Sequence, residues 1–209
     1  MVGCNRFTWD SRSIHLPREI FDLDKIYLQM VFSDMKIEVM LGSLVSQPDL
    51  MAIVNSANAN LRLGSGVAGA VHTCAGPELE EYCKPFAPLE LGKALLTPGF
   101  NLPNPWVIHV RAAHYLHNTE PEHFLEMGLI SVFQLAEENQ IESIGIPAIG
   151  TGMFKFPPML AARINARVTQ QVLARTKCIK LVRFCVASKE MMQLYASALS
   201  LNETGGQGE

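Results

Sequence analysis

The chain has 209 residues, 48% of them hydrophobic and 18% charged, with 17 Lys+Arg against 20 Asp+Glu and a formal net charge of -3. A charged share below the roughly 25% of an average soluble protein excludes disorder over most of the length. The charge balance argues against a generally basic nucleic-acid-binding surface, and no apolar run reaches the roughly 18 residues of a membrane helix.

In chain order, residues 1–24 read as an irregular N-terminal extension, 25–200 as one domain and 201–209 as a polar, frayed tail. The opening MVGCNRFTWDSR is too polar for the apolar core of a signal peptide. The five cysteines (Cys4, Cys74, Cys83, Cys178, Cys185) are odd in number, irregularly spaced and without a CxxC. A reduced, cytoplasmic chain is therefore expected, with no disulfide framework and no zinc ribbon.

Ile26, Leu28, Met30 and Phe32, then Ile37, Val39 and Leu41, alternate around Ser33-Asp34, as two neighbouring strands or a hairpin would. A helix over 18–30 competes, because Ile20, Leu23 and Tyr27 also fit a helical stripe. Residues 50–54 form a short apolar run that suits a buried parallel strand stopping at Asn55. Residues 67–84 read as helix interrupted near Gly76-Pro77; 93–97 and 106–110 read as strands. The clearest helix covers 122–139, where Phe124, Leu125, Leu129, Val132, Phe133 and Leu135-Ala136 make one apolar stripe. A strand over 144–149, a helix over 158–174, a strand over 179–186 and a helix over 190–199 complete the chain. This alternation predicts an α/β fold with a largely parallel sheet and helices on both faces, its first strands antiparallel. In such folds ligands bind beyond the carboxyl ends of the strands.

Two strand ends stand out: VNSANANLRLGSGVAGAVH (54–72) and PAIGTGMFKFP (147–157). Glycines and small polar residues ahead of a helix form an anion cradle of backbone N–H groups. One such loop reads as turns and caps; two at matching strand ends favour a crevice suited to a diphosphate. Asn55 and Asn58 offer neutral donors and acceptors of the kind sugar hydroxyls need. Gly64-Ser65-Gly66-Val67-Ala68-Gly69 also satisfies GxGxxG, but it lies about nine residues past the strand, whereas a dinucleotide fingerprint follows its strand directly.

The series Val54-Asn55-Ser56-Ala57-Asn58, residues 64–72, Ala75-Gly76-Pro77-Glu78-Leu79, Cys83, Thr97-Pro98-Gly99-Phe100-Asn101-Leu102-Pro103, Val107-Ile108-His109 and residues 147–154 resembles a macro domain of the MacroD-like branch. The likeness runs over about residues 36–199. It implies a three-layer α/β/α sandwich around a mixed, mostly parallel sheet. The implied ligand is ADP-ribose or a mono-ADP-ribosylated protein, with no cofactor and no metal. Carried over by position, Gly64, Ser65, Gly66, Val67 and Ala68 would hold one face of the diphosphate and distal ribose, and Ile149, Gly150, Thr151, Gly152, Met153 and Phe154 would close the other. Asn55 and Asn58 would sit at the distal ribose, with Asn55 nearest the chemistry, and Ser43 and Leu44 would lie at the adenine end.

The resemblance also marks departures. The family's Asp that accepts from the adenine amino group is Ser43 here, which forgoes the charge-assisted part of that bond, about 1–2 kcal/mol. The Asp that MacroD-like hydrolases place after the glycine-rich Val is Ala68, which removes general-base help of roughly 10²–10⁴-fold. Ala187 stands where an aromatic residue often packs on adenine, and Lys155 where a glycine is common. The implied function is therefore ADP-ribose binding. A weak mono-ADP-ribosyl-ester hydrolase or O-acetyl-ADP-ribose deacetylase is the alternative, and a module drifted to another nucleotide is the third. His109, His114, His117 and His123 read as core or surface residues rather than metal ligands. Cys74 and Cys83 read as buried small hydrophobes.

Overall fold

The computed structural model describes residues 27–32 and 35–201. The expected extension 1–24, the expected tail 201–209 apart from Leu201, and the turn at Ser33-Asp34 lie outside the described residues. The strands are β1 (Tyr27–Phe32), β2 (Met35–Leu41), β3 (Ala52–Ser56), β4 (Ala94–Pro98), β5 (Trp106–Val110), β6 (Ser143–Pro147) and β7 (Leu181–Val186). The helices are α1 (Gly66–Ala75), α2 (Pro77–Cys83), α3 (Pro121–Glu138), α4 (Pro158–Leu173) and α5 (Lys189–Leu201). Residues 27–30 are strand, so the competing helix over 18–30 does not form there.

One seven-stranded sheet has the order β1-β2-β7-β6-β3-β5-β4. The run β2-β7-β6-β3-β5 is parallel, and β1 and β4 flank it antiparallel. The direction of β4 was not anticipated. Its link to β5, residues 99–105, is too short for a parallel crossover, which takes a dozen residues or more.

The two faces are covered by different helices. On one face Ile37, Val39, Val54, Ile108, Ile146 and Phe184 form a core with the buried stripe of α3 (Leu125, Leu129, Val132, Phe133) and with α4 and α5. On the other, Ile53, Val107 and Cys185 pack beneath α1 and α2. The result is the expected three-layer α/β/α sandwich. Buried positions on α1 are Ala68, Val71, His72 and Ala75. That stripe leaves Cys74 pointing outward, so Cys74 is exposed, while Cys83 is buried as expected. Among the described residues no helix is long and apolar enough to cross a membrane.

Neighbouring strands β3 and β6 set up the site. The chain leaves β3 for α1 on one face and leaves β6 for α4 on the other. The two loops therefore diverge from one point at the carboxyl edge of the sheet, where doubly wound folds open a crevice.

Candidate functional site

A cleft of about 410 Å³ opens at that point. Ser56, Asn58, Gly64, Ser65, Gly66, Val67 and Ala68 line one wall, and Pro147, Ala148, Gly150, Thr151, Gly152, Met153 and Phe154 the other. Cys185 and Ala187 extend it from the end of β7. The two glycine-rich bends thus face each other across one space.

The first wall ends in the N-terminus of α1. The first N–H groups of a helix have no carbonyl one turn back, and Ser65 supplies no side-chain cap. The partial positive charge of the helix start adds to these free donors. In the second bend Ile149, Thr151, Lys155 and Phe156 spend their N–H groups on loop carbonyls. Those of Gly150, Gly152, Met153 and Phe154 have no backbone acceptor among the described residues. Gly150 sits at φ 93°, and a Cβ there would come within 2.9 Å of the Phe156 ring, so both conformation and space require glycine. Tyr115 N–H donates to the Phe154 carbonyl at 2.7 Å and anchors the rim. Among the described residues, no acidic, basic or histidine side chain lines the cleft. Its titratable member, the Cys185 thiol, is pushed up to about 12, chiefly by burial.

Asn58 is on the wall and braces its own loop. Its Nδ2 donates to the Arg62 carbonyl at 2.7 Å, and its Oδ1 accepts from Arg62 N–H at 3.2 Å. An amide has two donors and two acceptor positions, so one of each is left for a ligand hydroxyl.

Four expected residues do not line the cleft. Asn55 is fully buried: β3 continues through it to Ser56, in register with His109 of β5, and turns its side chain toward the α1 and α2 layer. Of the two expected asparagines, Asn58 lines the cleft and Asn55 does not. Leu44 is buried in the core beneath α1, and Ile149 in the core beneath α4. Ser43 is exposed, and its carbonyl accepts from Gln47 Nε2 at 2.8 Å. Lys155, at φ 60°, also stays off the cleft and lies within electrostatic reach of His114. Ser56, Pro147, Ala148 and Cys185 line the cleft beside the residues expected to bind the ligand. Pro147 and Cys185 are register partners on β6 and β7, and only the strand order brings them together.

Asn55 begins a buried polar row across three strands. Its Nδ2 donates to His109 Nδ1 at 3.0 Å, so the imidazole proton is on Nε2, 3.1 Å from Thr97 Oγ1; the Thr97 hydroxyl donates to the Pro98 carbonyl. Burial, helped by nearby His72, depresses His109 to about 3. A histidine lowered on folding stabilises the fold above its unfolded value of 6.5, and that contribution is lost as pH falls toward 3. His109 alone should make the protein about 2 kcal/mol less stable at pH 5 than at pH 7. Urea unfolding at the two pH values checks this, and His109→Asn should remove that part of the acid sensitivity.

The macro domain family model matches residues 54–165. The chain belongs to the macro domain family. This macro domain is 34% identical over 170 residues to an O-acetyl-ADP-ribose deacetylase of Salmonella gallinarum, covering 79% of the chain and 94% of that protein. It superposes on the Oceanobacillus iheyensis macrodomain with ADP at a TM-score of 0.81 and 27% identity, covering 86% and 97% of the two chains. The Trypanosoma brucei macrodomain in complex with ADP-ribose gives a TM-score of 0.71 at 30% identity, covering 78% and 68%.

Proposed function

We propose that this macro domain binds ADP-ribose, free or as a mono-ADP-ribosyl group on a protein, with the diphosphate between residues 64–68 and 150–154 and the distal ribose at Asn58 and Phe154. The observation that carries this is the pair of facing bends whose amides, among the described residues, are unbonded and whose cleft no charged side chain lines. An anion there meets fixed backbone donors rather than mobile cations. Similar macrodomains solved with ADP and with ADP-ribose support the choice of ligand.

The likeness to the deacetylase favours a second reading, cleavage of an ester on the distal ribose. The lining argues for a slow reaction. Ala68 carries no proton acceptor, and the buried Cys185 thiol stays protonated. Calorimetry should show saturable heat with ADP-ribose; no heat and no competition at millimolar ligand would refute both readings. Release of ADP-ribose from a substrate modified on an acidic side chain should stay near background. Ala68→Asp should raise it by at least about tenfold, and rapid release by the unaltered protein would establish the second reading instead.

A further inference from the structure

A second hollow, of about 400 Å³, opens between α1 and α2. Leu63 stands in its wall and the next residue, Gly64, in the wall of the cleft, so one loop separates the two spaces. His72 also lines the hollow; it is 5% exposed, and neither ring nitrogen has a hydrogen-bond partner among the described residues. Burial lowers its pKa against the opposing pull of Glu80, so the ring is neutral near pH 7 and offers one acceptor nitrogen. Glu80 lies in the wall and accepts Leu63 N–H through Oε2 at 2.9 Å. A carboxylate has roughly four acceptor positions, so Glu80 has capacity left. Glu81 is already paired with Lys84 at 2.5 Å. The remaining walls include Pro77 and the exposed Leu63. Leu63 and Pro77, with Thr73 and Gly76 between them and an acceptor-rich, negatively charged end, match an ammonium or guanidinium on an alkyl stem.

We propose that the hollow between α1 and α2 receives one Lys or Arg side chain of the protein whose ADP-ribosyl group occupies the cleft. This rests on the binding reading above. The 58–68 loop, shared as a wall, makes binding at the two places a bivalent event on one partner.

The test uses the full chain and mono-ADP-ribosylated peptides bearing Arg or Ala at each position up to four residues from the modified one, with free ADP-ribose as reference. At low salt at least one Arg peptide should bind about fivefold or more tighter than its Ala counterpart. It should also shift the His72 ring resonances, which the Ala peptide leaves in place. Glu80→Gln keeps an acceptor for Leu63 N–H and removes the charge. It should abolish the Arg preference and leave free ADP-ribose affinity unchanged. Equal binding of Arg and Ala peptides, or a preference that survives Glu80→Gln, overturns the proposal even when free ADP-ribose binds. If free ADP-ribose does not bind, the functional reading fails by itself. N-acetyl-arginine amide titrated alone then decides the hollow: a shift at His72 supports it, and none overturns it.

Discussion

Gly69→Ala is expected to weaken ADP-ribose binding by about a hundredfold or more while α1 stays folded. Gly69 lies within α1, one residue past the cleft wall, and a Cβ there would come within 2.5 Å of the Gly64 carbonyl oxygen. That atom belongs to backbone, so the contact can be relieved only by moving the loop. Gly64 is part of the cleft wall, and displacing it carries the neighbouring amides off the diphosphate. Misplacements of about 1 Å in such a constellation cost on the order of 10²-fold. Helix propensity acts in the opposite direction, since Ala is better than Gly by about 1 kcal/mol in a helix interior. Unfolding should therefore change little while binding is lost. Calorimetry beside urea denaturation separates the two effects, and undiminished affinity would show that the loop yields without consequence.

The second large effect is on stability. Arg183→Met should destabilise the protein by about 3–5 kcal/mol, a large part of the roughly 5–15 kcal/mol available to a domain. Arg183 on β7 faces Glu38 across the parallel pair β2–β7, with Nε 2.7 Å from Glu38 Oε2. Its other nitrogens reach Gln47 Oε1 at 2.9 Å and Asp49 Oδ2 at 2.7 Å. The Glu38 side chain is 6% exposed, so losing Arg183 strands a carboxylate away from water. The Asp49 side chain is 56% exposed, and its pair adds little. The double variant Arg183→Met/Glu38→Met should recover most of the loss, because no buried charge remains uncompensated. A single variant within about 1 kcal/mol of the parent would mean that water already reaches Glu38.

These residues also show where the sequence is legible. The glycine-rich bends could be read locally, because a turn ahead of a helix makes demands that few residues meet. The helix over α3 was equally plain from its stripe. Glu38 was not, because its partner is 145 positions away and polar residues in a strand usually mark the wet face. Asn55 misled for a related reason. An asparagine after an apolar run looks like a strand end, yet pairing with His109 carries β3 onward and buries the amide. The asparagine on the wall is instead the one three residues later, past the sheet. Cys185 and Pro147 had no local signal at all; strand order makes them neighbours.

The unbonded amides of the two bends have a consequence for how such a cleft can change over time. The donors that the proposed reading offers a diphosphate belong to the main chain, so among single exchanges only one to proline deletes such a donor. Lining residues such as Ala68 and Ala187 are consequently free to vary without removing those donors. The anion grip is inherited with the path of the polypeptide, and specialisation can be layered on it without rebuilding the fold.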